Sequence, residues 1–198
     1  MSIGSESRMA VMSSEPRLER RAMSRAEFEA LPREVRAEYV DGVALMSPPA
    51  PHAHQYAELR VARLIADALP QLRVGTEMGI DLGRSLRVAD VAAYATTDDG
   101  GSGDGDGDEV WGRVPPVLVV EVLSRTTRSE DLIRKPREYL RGGIAHYWIL
   151  DRTTPALTAL TARDDEWEVV LELDAERPRG TVEVVGHGHV DVDLLALV

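Results

Sequence analysis

Two acidic residues stand out because of where they occur in the sequence. Asp90 lies within a stretch typical of a β-strand, and Glu121 interrupts an apolar run over residues 116–123. A carboxylate in a buried strand is costly unless it is paired or binds a metal ion. Adjacent strands lie about 5 Å apart, so carboxylates on neighbouring strands can share a hard divalent cation. Such a cation can activate water and stabilise charge that develops on a phosphate.

Lys135 is the only lysine among the 23 basic residues. Lysine is a compact point charge, whereas arginine is a broad fork that stays protonated. Helical side chains lean toward the helix N-terminus, so we expect this ammonium near the strand that carries Glu121. There it could position a nucleophile or neutralise a phosphate, and Lys135→Arg or Lys135→Ala would abolish activity without lowering the melting temperature. The alternative is a simple ion pair with Asp131, one helical turn earlier.

Periodicity and turn signals predict the elements that must position these residues. Ser24 and Glu27 have capping-box spacing, and Asp41-Gly42 is a strong hairpin signal. The remaining predicted elements are a long helix over 54–69, strands over 73–82 and 86–94, a central strand over 116–123, a helix over 130–140 capped by Ser129, a strand over 144–151, and a terminal hairpin over 156–162 and 167–173. Residues 190–198 are apolar enough to pack back on the domain.

The length of 198 residues predicts one domain, over 24–198, after a flexible tail at 1–23. The glycine- and aspartate-rich stretch 98–109 is predicted to be a disordered acidic insertion, because it has little apolar surface to bury. The sequence contains no cysteine, which excludes disulfides and thiolate metal sites and favours the cytoplasm. No apolar stretch reaches the length of a membrane span, so we expect no membrane partner.

The charge pattern bears on the class of partner. A formal net charge of -11 at first argues against nucleic acid. Basic residues nevertheless outnumber acidic ones over 125–141. This segment contains six basic residues and three acidic ones: Arg125, Arg128, Arg134, Lys135, Arg137 and Arg141, and Glu130, Asp131 and Glu138. We therefore predict a local basic surface on an acidic protein.

A series of short motifs resembles one known family. Residues 87–91 are RVADV and 115–124 are PPVLVVEVLS, followed by Asp131, Lys135, Tyr139, Gly143 and YWILD at 147–151. Upstream, EYVDG at 38–42 and MSPP at 46–49 precede them. In this order and spacing, the motifs are similar to those of the Uma-type restriction-endonuclease-like family, part of the PD-(D/E)XK nuclease superfamily. The resemblance covers roughly residues 24–163.

The resemblance implies an α/β (α+β) fold, a restriction-endonuclease-like mixed β-sheet flanked by helices, with N-terminal and C-terminal β-hairpins. It implies Asp90 and Glu121 as ligands of Mg²⁺ or Mn²⁺, Lys135 as the catalytic lysine, and Glu38 as a further acid near the metal. In the wider superfamily the lysine follows the glutamate by two positions, where this chain has Leu123. The implied function is a metal-dependent endonuclease that hydrolyses nucleic acid, DNA in the first place.

Two residues depart from the family pattern. Ala89 replaces the proline before Asp90, and His146 stands where the family commonly has glutamate. If that glutamate helps to hold the site, His146 weakens metal binding or activity. His52 and His54 could contact phosphate or metal, but they are interpreted in the first place as capping or solvated residues. Two other functions stay open, a non-catalytic binding or assembly module and a hydrolase of small phosphate esters, and so does a homodimer.

Overall fold

The computed structural model describes residues 18–32, 34–96 and 110–198. Its N-terminal elements are β1 (Glu19–Ala22), α1 (Arg25–Glu29), β2 (Ala37–Val40) and β3 (Val43–Met46). Ser24 caps α1 and forms the predicted capping box with Glu27. Asp41 and Gly42 both have positive φ, 46° and 89°. A two-residue hairpin turn needs left-handed backbone at both positions, which explains why this sequence closes the β2–β3 hairpin there.

The predicted flexible tail, residues 1–23, is wrong at its C-terminal end. Glu19–Ala22 pair antiparallel with Val43–Met46. This pairing satisfies backbone groups that β3 would otherwise leave free at a sheet edge. Residues 1–17 and the predicted insertion 98–109 lie outside the described residues.

The elements that carry the predicted acids follow. They are α2 (His52–Ala68), β4 (Leu72–Asp81), β5 (Ser85–Ala95), β6 (Trp111–Gly112) and β7 (Leu118–Val122). All five residues of β7 are buried, as predicted for a central strand covered on both faces. The inner face of α2 carries Ala57, Val61 and Ile65, whereas Leu59 is 61% exposed.

The predicted helix over 130–140 is split into a π-helical turn (Glu130–Arg134) and α3 (Lys135–Arg141). Pro136 has no N–H, so the regular hydrogen bond to the carbonyl four residues earlier cannot form. The N–H of Lys135 instead bonds the carbonyl of Glu130, five residues back. Ser129, predicted as the cap, makes no side-chain capping bond because its own backbone is already helical.

The C-terminal elements are β8 (His146–Asp151), β9 (Ala156–Arg163), β10 (Glu166–Asp174), β11 (Arg179–Val184), β12 (Gly188–Asp193) and α4 (Leu194–Leu197). In the described residues β1 to β10 form one mixed sheet with the order β1-β3-β2-β5-β7-β8-β9-β10, and β4 pairs with β5 and β6. Strands β7 and β8 are parallel and are joined through α3, as the sequence predicts. The mixed sheet with flanking helices confirms the predicted fold class.

Both faces of the sheet are covered. On one face, α2 packs with the β11–β12 hairpin and α4 in a core that includes Val184, Val190 and Leu194. This confirms that the last residues pack back on the domain. On the other face, α3 contributes Tyr139 to a second core with Tyr147. None of the described helices is long and apolar enough to cross a membrane.

Candidate active site

Strands β5 and β7 bring Asp90 and Glu121 together, as predicted. The two strands are antiparallel, and their last paired positions are Val91 and Val120. Asp90 and Glu121 follow directly beyond this pair. The Oδ2 of Asp90 accepts a hydrogen bond from the N–H of Val122 at 2.7 Å. Where the two strands separate, this side-chain bond takes the place of the backbone hydrogen bonds between them. The central sheet therefore fixes the position of the Asp90 carboxylate.

Glu121 is 1% exposed, and one of its carboxylate oxygens accepts from two donors. Lys135 Nζ lies 2.9 Å from its Oε1, and the hydroxyl of Tyr139 donates to the same oxygen at 2.6 Å. Burial raises the pKa of Glu121 well above its usual value, and Lys135 opposes that rise. The two donors on one oxygen favour the ionised carboxylate.

Lys135 is only 4% exposed and lies among three carboxylates. Its Nζ is 3.2 Å from Glu38 Oε1 and 3.4 Å from Asp131 Oδ1, in addition to the contact with Glu121. It also donates to the carbonyl of Val88 at 3.1 Å. Burial alone would lower the pKa of Lys135, but Glu121 and Glu38 outweigh burial and raise it well above its usual value. Lys135 is therefore a fixed cation and not a proton acceptor at neutral pH.

Glu38 is predicted as an acid near the metal. Both of its carboxylate oxygens are bonded to other groups of the protein. Its Oε1 accepts the N–H of Val88 at 2.9 Å and contacts Lys135, and its Oε2 accepts from Arg87 at 2.9 Å. Burial alone would raise the pKa of Glu38, but Lys135 and Arg87 lower it. In this arrangement Glu38 holds Lys135 in place.

Arg87 is fully buried and connects the site to α3. Its guanidinium bonds Glu138 twice, at 2.7 Å and 2.8 Å, and reaches Glu130 at 3.2 Å. Glu130 in turn accepts from Arg20 of β1 at 2.8 Å. A buried charge is tolerated only with such complete pairing. The network fixes the π-helical turn and α3 relative to β5.

Asp131 faces Lys135 because the π-helical turn places both residues on the inner side. The hydroxyl of Thr127 donates to Asp131 Oδ2 at 2.6 Å, and the hydroxyl of Tyr147 donates to its backbone carbonyl at 2.7 Å. Burial raises the pKa of Asp131 to about 6, although Lys135 and Thr127 oppose the rise. Asp131 thus adds a titratable acid to the site, and π-helical turns often occur at functional positions.

One group of metal-ligating side chains has all its ligand atoms within 4.8 Å of one another in the described part of the chain: His54, Glu58 and Asp90. His54 Nε2 is 2.8 Å from Glu58 Oε1, without hydrogen-bond alignment, and 3.3 Å from Asp90 Oδ2. Burial alone would lower the pKa of His54, but its contacts with Asp90 and Glu58 raise the pKa to about 10. A divalent cation bound here would replace the proton that His54 carries at this raised pKa.

The chemistry of this group fits a divalent cation. Glu58 Oε1 and His54 Nδ1 are buried and have no hydrogen-bond partner in the described residues. Buried polar atoms without a partner are rare and often indicate a missing ion. One imidazole nitrogen and two carboxylates suit a transition metal such as Mn²⁺, whereas Mg²⁺ prefers oxygen ligands alone. Glu121 is outside the 4.8 Å group, although its pKa responds to the charge of Asp90.

His54 and Asp90 lie at the inner end of a cavity of about 590 Å³, here called the site cavity, whereas Glu58 does not line it. Its walls are formed by residues 35–38, 47–51, 110–111, 123–128 and 152–153. His54, Asp90, Glu121, Asp131 and Lys135 line it from the inside. A cavity with converging titratable groups is the expected location of an active site.

His146 is not part of the site cavity. Its Nε2 accepts the N–H of Val185 at 3.1 Å, which leaves Nδ1 as the donor to the Thr161 hydroxyl, also at 3.1 Å. Burial lowers the pKa of His146 to about 4, so the ring is neutral at pH 7. The concern that this residue weakens metal binding therefore loses its structural basis, since His146 joins β8 to the β11–β12 hairpin.

Comparison with known proteins agrees with this arrangement. The family model described as "Uma2: Putative restriction endonuclease" matches residues 25–184. This chain belongs to the Uma2 family. Membership indicates a restriction-endonuclease-like nuclease. A crystal structure described as "a putative nuclease belonging to DUF820", from Anabaena variabilis ATCC 29413, superposes on the Uma2 chain with a TM-score of 0.67.

The superposition covers 87% of this Uma2 chain and 98% of the Anabaena chain, with 19% sequence identity. At that identity the likeness shows a shared fold. No curated protein matches the chain.

The sequence predicted part of the site and missed part of it. Asp90, Glu121, Lys135 and Glu38 do converge on one cavity, and their roles stay predictions. His54, interpreted as capping or solvated, is instead 6% exposed and faces Asp90. Glu58 was missed, although it follows His54 by four residues on the same helix face as Ala57 and Val61. Two polar residues on the apolar face of an amphipathic helix are the signal that could have found them.

Proposed function

We propose that this Uma2 protein is a metal-dependent endonuclease that hydrolyses phosphodiester bonds of nucleic acid, DNA in the first place. The observation that supports it most is the placement of a buried lysine beside a buried cluster of metal-ligating groups in one cavity. His54, Glu58 and Asp90 would hold the divalent cation, with Glu121 adjacent. The cation would supply activation of water and stabilisation of charge on the phosphate.

Lys135 supplies the second positive charge of the site. Its ammonium is held by Glu121 and Glu38, so no reorganisation is needed when negative charge builds up on a phosphate oxygen nearby. Its raised pKa keeps it charged over the whole physiological range. We assign to Lys135 electrostatic stabilisation of the phosphate, and to Glu38 and Arg87 the positioning of Lys135.

The ligand set indicates which metal supports activity best. Mn²⁺ accepts imidazole nitrogen more readily than Mg²⁺ does, and it still accepts carboxylate oxygen. We therefore expect faster cleavage with Mn²⁺ than with Mg²⁺ at equal concentration. A preference for Mg²⁺ would indicate an all-oxygen site around Asp90 and Glu121.

The test is cleavage of labelled single-stranded, double-stranded and branched DNA, and of RNA, with Mn²⁺, Mg²⁺ or EDTA. Asp90→Asn and His54→Gln are expected to lower the rate by about 100-fold or more. Asp67→Asn, on the same helix with a 72% exposed side chain, is the matched control and should cleave like the native protein. Full activity of Asp90→Asn, or cleavage that persists in EDTA, would contradict the proposal.

A further inference from the structure

The site cavity combines an acidic inner end with an arginine-bearing mouth. The carboxylates of Glu121 and Asp131 are each 1% exposed, so they lie well below the surface. Four arginines line the cavity further out, here called the arginine rim: Arg36, Arg125, Arg128 and Arg152. An anionic substrate would meet positive charge at the mouth before it reached a cation at the acidic end. The mouth of the cavity thus carries arginines on an acidic protein, of which Arg36 pairs with Glu77 in the same wall.

Two members of the arginine rim are placed by the ends of parallel strands. Strand β7 ends before the loop that carries Arg128, and β8 ends at Asp151, directly before Arg152. Asp151 Oδ2 accepts from Arg128 at 2.7 Å, while its Oδ1 accepts the N–H and hydroxyl of Thr153 at 2.9 Å and 2.7 Å. The Asp151 carboxylate therefore orders both loops before any ligand binds. The C-terminal ends of adjacent parallel strands are common ligand sites.

Arg152 has a donor that the described residues leave unused. Its Nε is buried and makes no hydrogen bond within them, although Arg152 lines the site cavity. A buried donor without an acceptor is unfavourable, and the planar guanidinium matches the oxygens of a phosphate. Thr153, ordered by Asp151, lies next to it in the cavity wall. These groups lie apart from the metal-ligating side chains, in the part of the cavity wall that Asp151 orders.

The shape of the cavity restricts what kind of nucleic acid can reach the inner end. A volume of about 590 Å³ is in the range of sites that hold one small molecule, so it has room for about one or two nucleotides. Duplex DNA is stiff over about 150 base pairs and cannot bend into such a space within a few nucleotides. The walls include Val35, Pro48 and Trp111, apolar groups suited to a base or sugar.

We propose that the substrate enters as a single strand, with one nucleotide in the site cavity and a neighbouring phosphate on Arg152. The proposal rests on the proposed nuclease function and narrows its substrate class to single-stranded nucleic acid, including unpaired ends and flaps. An uninterrupted duplex would contact only the arginine rim, where no phosphate can reach the acidic inner end.

The experiment compares a short fluorescein-labelled single-stranded DNA with a blunt duplex of the same sequence. Binding is followed by fluorescence anisotropy with Ca²⁺ over a salt series, and cleavage by gel with Mn²⁺. The native protein is expected to bind and cleave the single strand at least about tenfold better. Arg152→Ala should weaken single-strand binding and reduce the slope of log K against log salt by about 1, and Arg152→Lys should partly restore both.

The matched control is Arg163→Ala, which removes an exposed arginine of β9 that pairs with Glu168 outside the site cavity. It should leave affinity and salt slope as in the native protein. Equal or better binding and cleavage of the duplex would overturn the single-strand proposal while leaving the nuclease function intact. An unchanged salt slope in Arg152→Ala would overturn the phosphate site. No binding or cleavage of any nucleic acid would refute the nuclease function itself.

Discussion

Because Lys135 is buried, its substitution is expected to affect stability as well as activity. From the sequence, its substitution was expected to remove activity without lowering the melting temperature. In the structure it is 4% exposed and contacts three carboxylates, of which Glu121 and Asp131 are buried. Removing one member of such a group leaves uncompensated buried charge. The same side chain therefore stabilises the fold and, in the proposed function, the substrate phosphate.

We predict that Lys135→Met lowers the free energy of unfolding by about 3–5 kcal/mol, because Glu121 is left buried without its cation. Adding Glu121→Gln should recover part of this loss, since it removes one of the three carboxylates that Lys135 contacts, but it should not recover cleavage. Urea denaturation of the native protein, both single variants and the double variant measures the coupling between the two residues. A Lys135→Met protein as stable as the native one would contradict the contacts described for Lys135.

At the scale of elements, the sequence predicts best what depends on local signals. The Asp41-Gly42 turn, the capping box at Ser24 and the apolar run that forms β7 around Glu121 each carry their own signal, and each is found where predicted. Strand β1 was missed because all four of its residues are exposed and show no alternation. The π-helical turn was missed because residues 130–140 were taken as one regular helix, although Pro136 lies inside that span, where its missing N–H interrupts the regular hydrogen bonds.

In the candidate active site, too, the sequence predicts only what depends on local signals. Asp90 and Glu121 could be placed together because strand pairing is predictable from order and spacing. For Lys135, the pair with Asp131 followed from helical spacing and is present at 3.4 Å. Its contact with Glu38 could not be derived from local pattern, because Glu38 comes from a hairpin almost one hundred positions earlier, and the family resemblance alone suggested that acid. Long-range contacts of this kind are set by how layers pack and not by local pattern.

We predict that the π-helical turn is needed to place Lys135. Pro136→Ala restores an N–H, so a regular α-helical bond becomes available and the turn before α3 can rewind. Cleavage should fall at least about tenfold, while stability changes by less than about 1 kcal/mol, as expected for loss of a proline constraint. Arg137→Ala, an exposed neighbour on α3, is the control and should behave as native. Native activity in Pro136→Ala would show that the turn is incidental.

At the scale of the whole molecule, the sheet, α2 and the C-terminal hairpin form one core. Val184, Val190 and Leu194 of the last segment belong to the same cluster as Val61 of α2, which also carries His54 and Glu58. Packing of the C-terminal segment thus supports the helix that holds two of the metal-ligating groups. His146 is the polar link between that segment and the central sheet.

This link predicts a pH dependence of stability. Burial lowers the pKa of His146 to about 4 from about 6.5 in the unfolded chain. Between these values the unfolded chain binds more protons, so stability present above about pH 6.5 is lost as the pH falls toward about 4. His146→Gln, which keeps one donor and one acceptor, should flatten this dependence in urea titrations. His189→Gln, an exposed residue on the same hairpin, should retain it. An unchanged slope in His146→Gln would contradict the assignment.

The central claim is that a divalent cation binds to His54, Glu58 and Asp90 beside Lys135. The most direct measurement is X-ray diffraction from crystals soaked in Mn²⁺, with anomalous scattering used to locate the metal. We expect one strong anomalous peak bonded to the imidazole of His54 and to the Glu58 and Asp90 carboxylates, and no peak there in Asp90→Asn crystals. A peak held by Glu121 and Glu38 without His54, or no peak in a protein that cleaves DNA with Mn²⁺ under the same conditions, would contradict it.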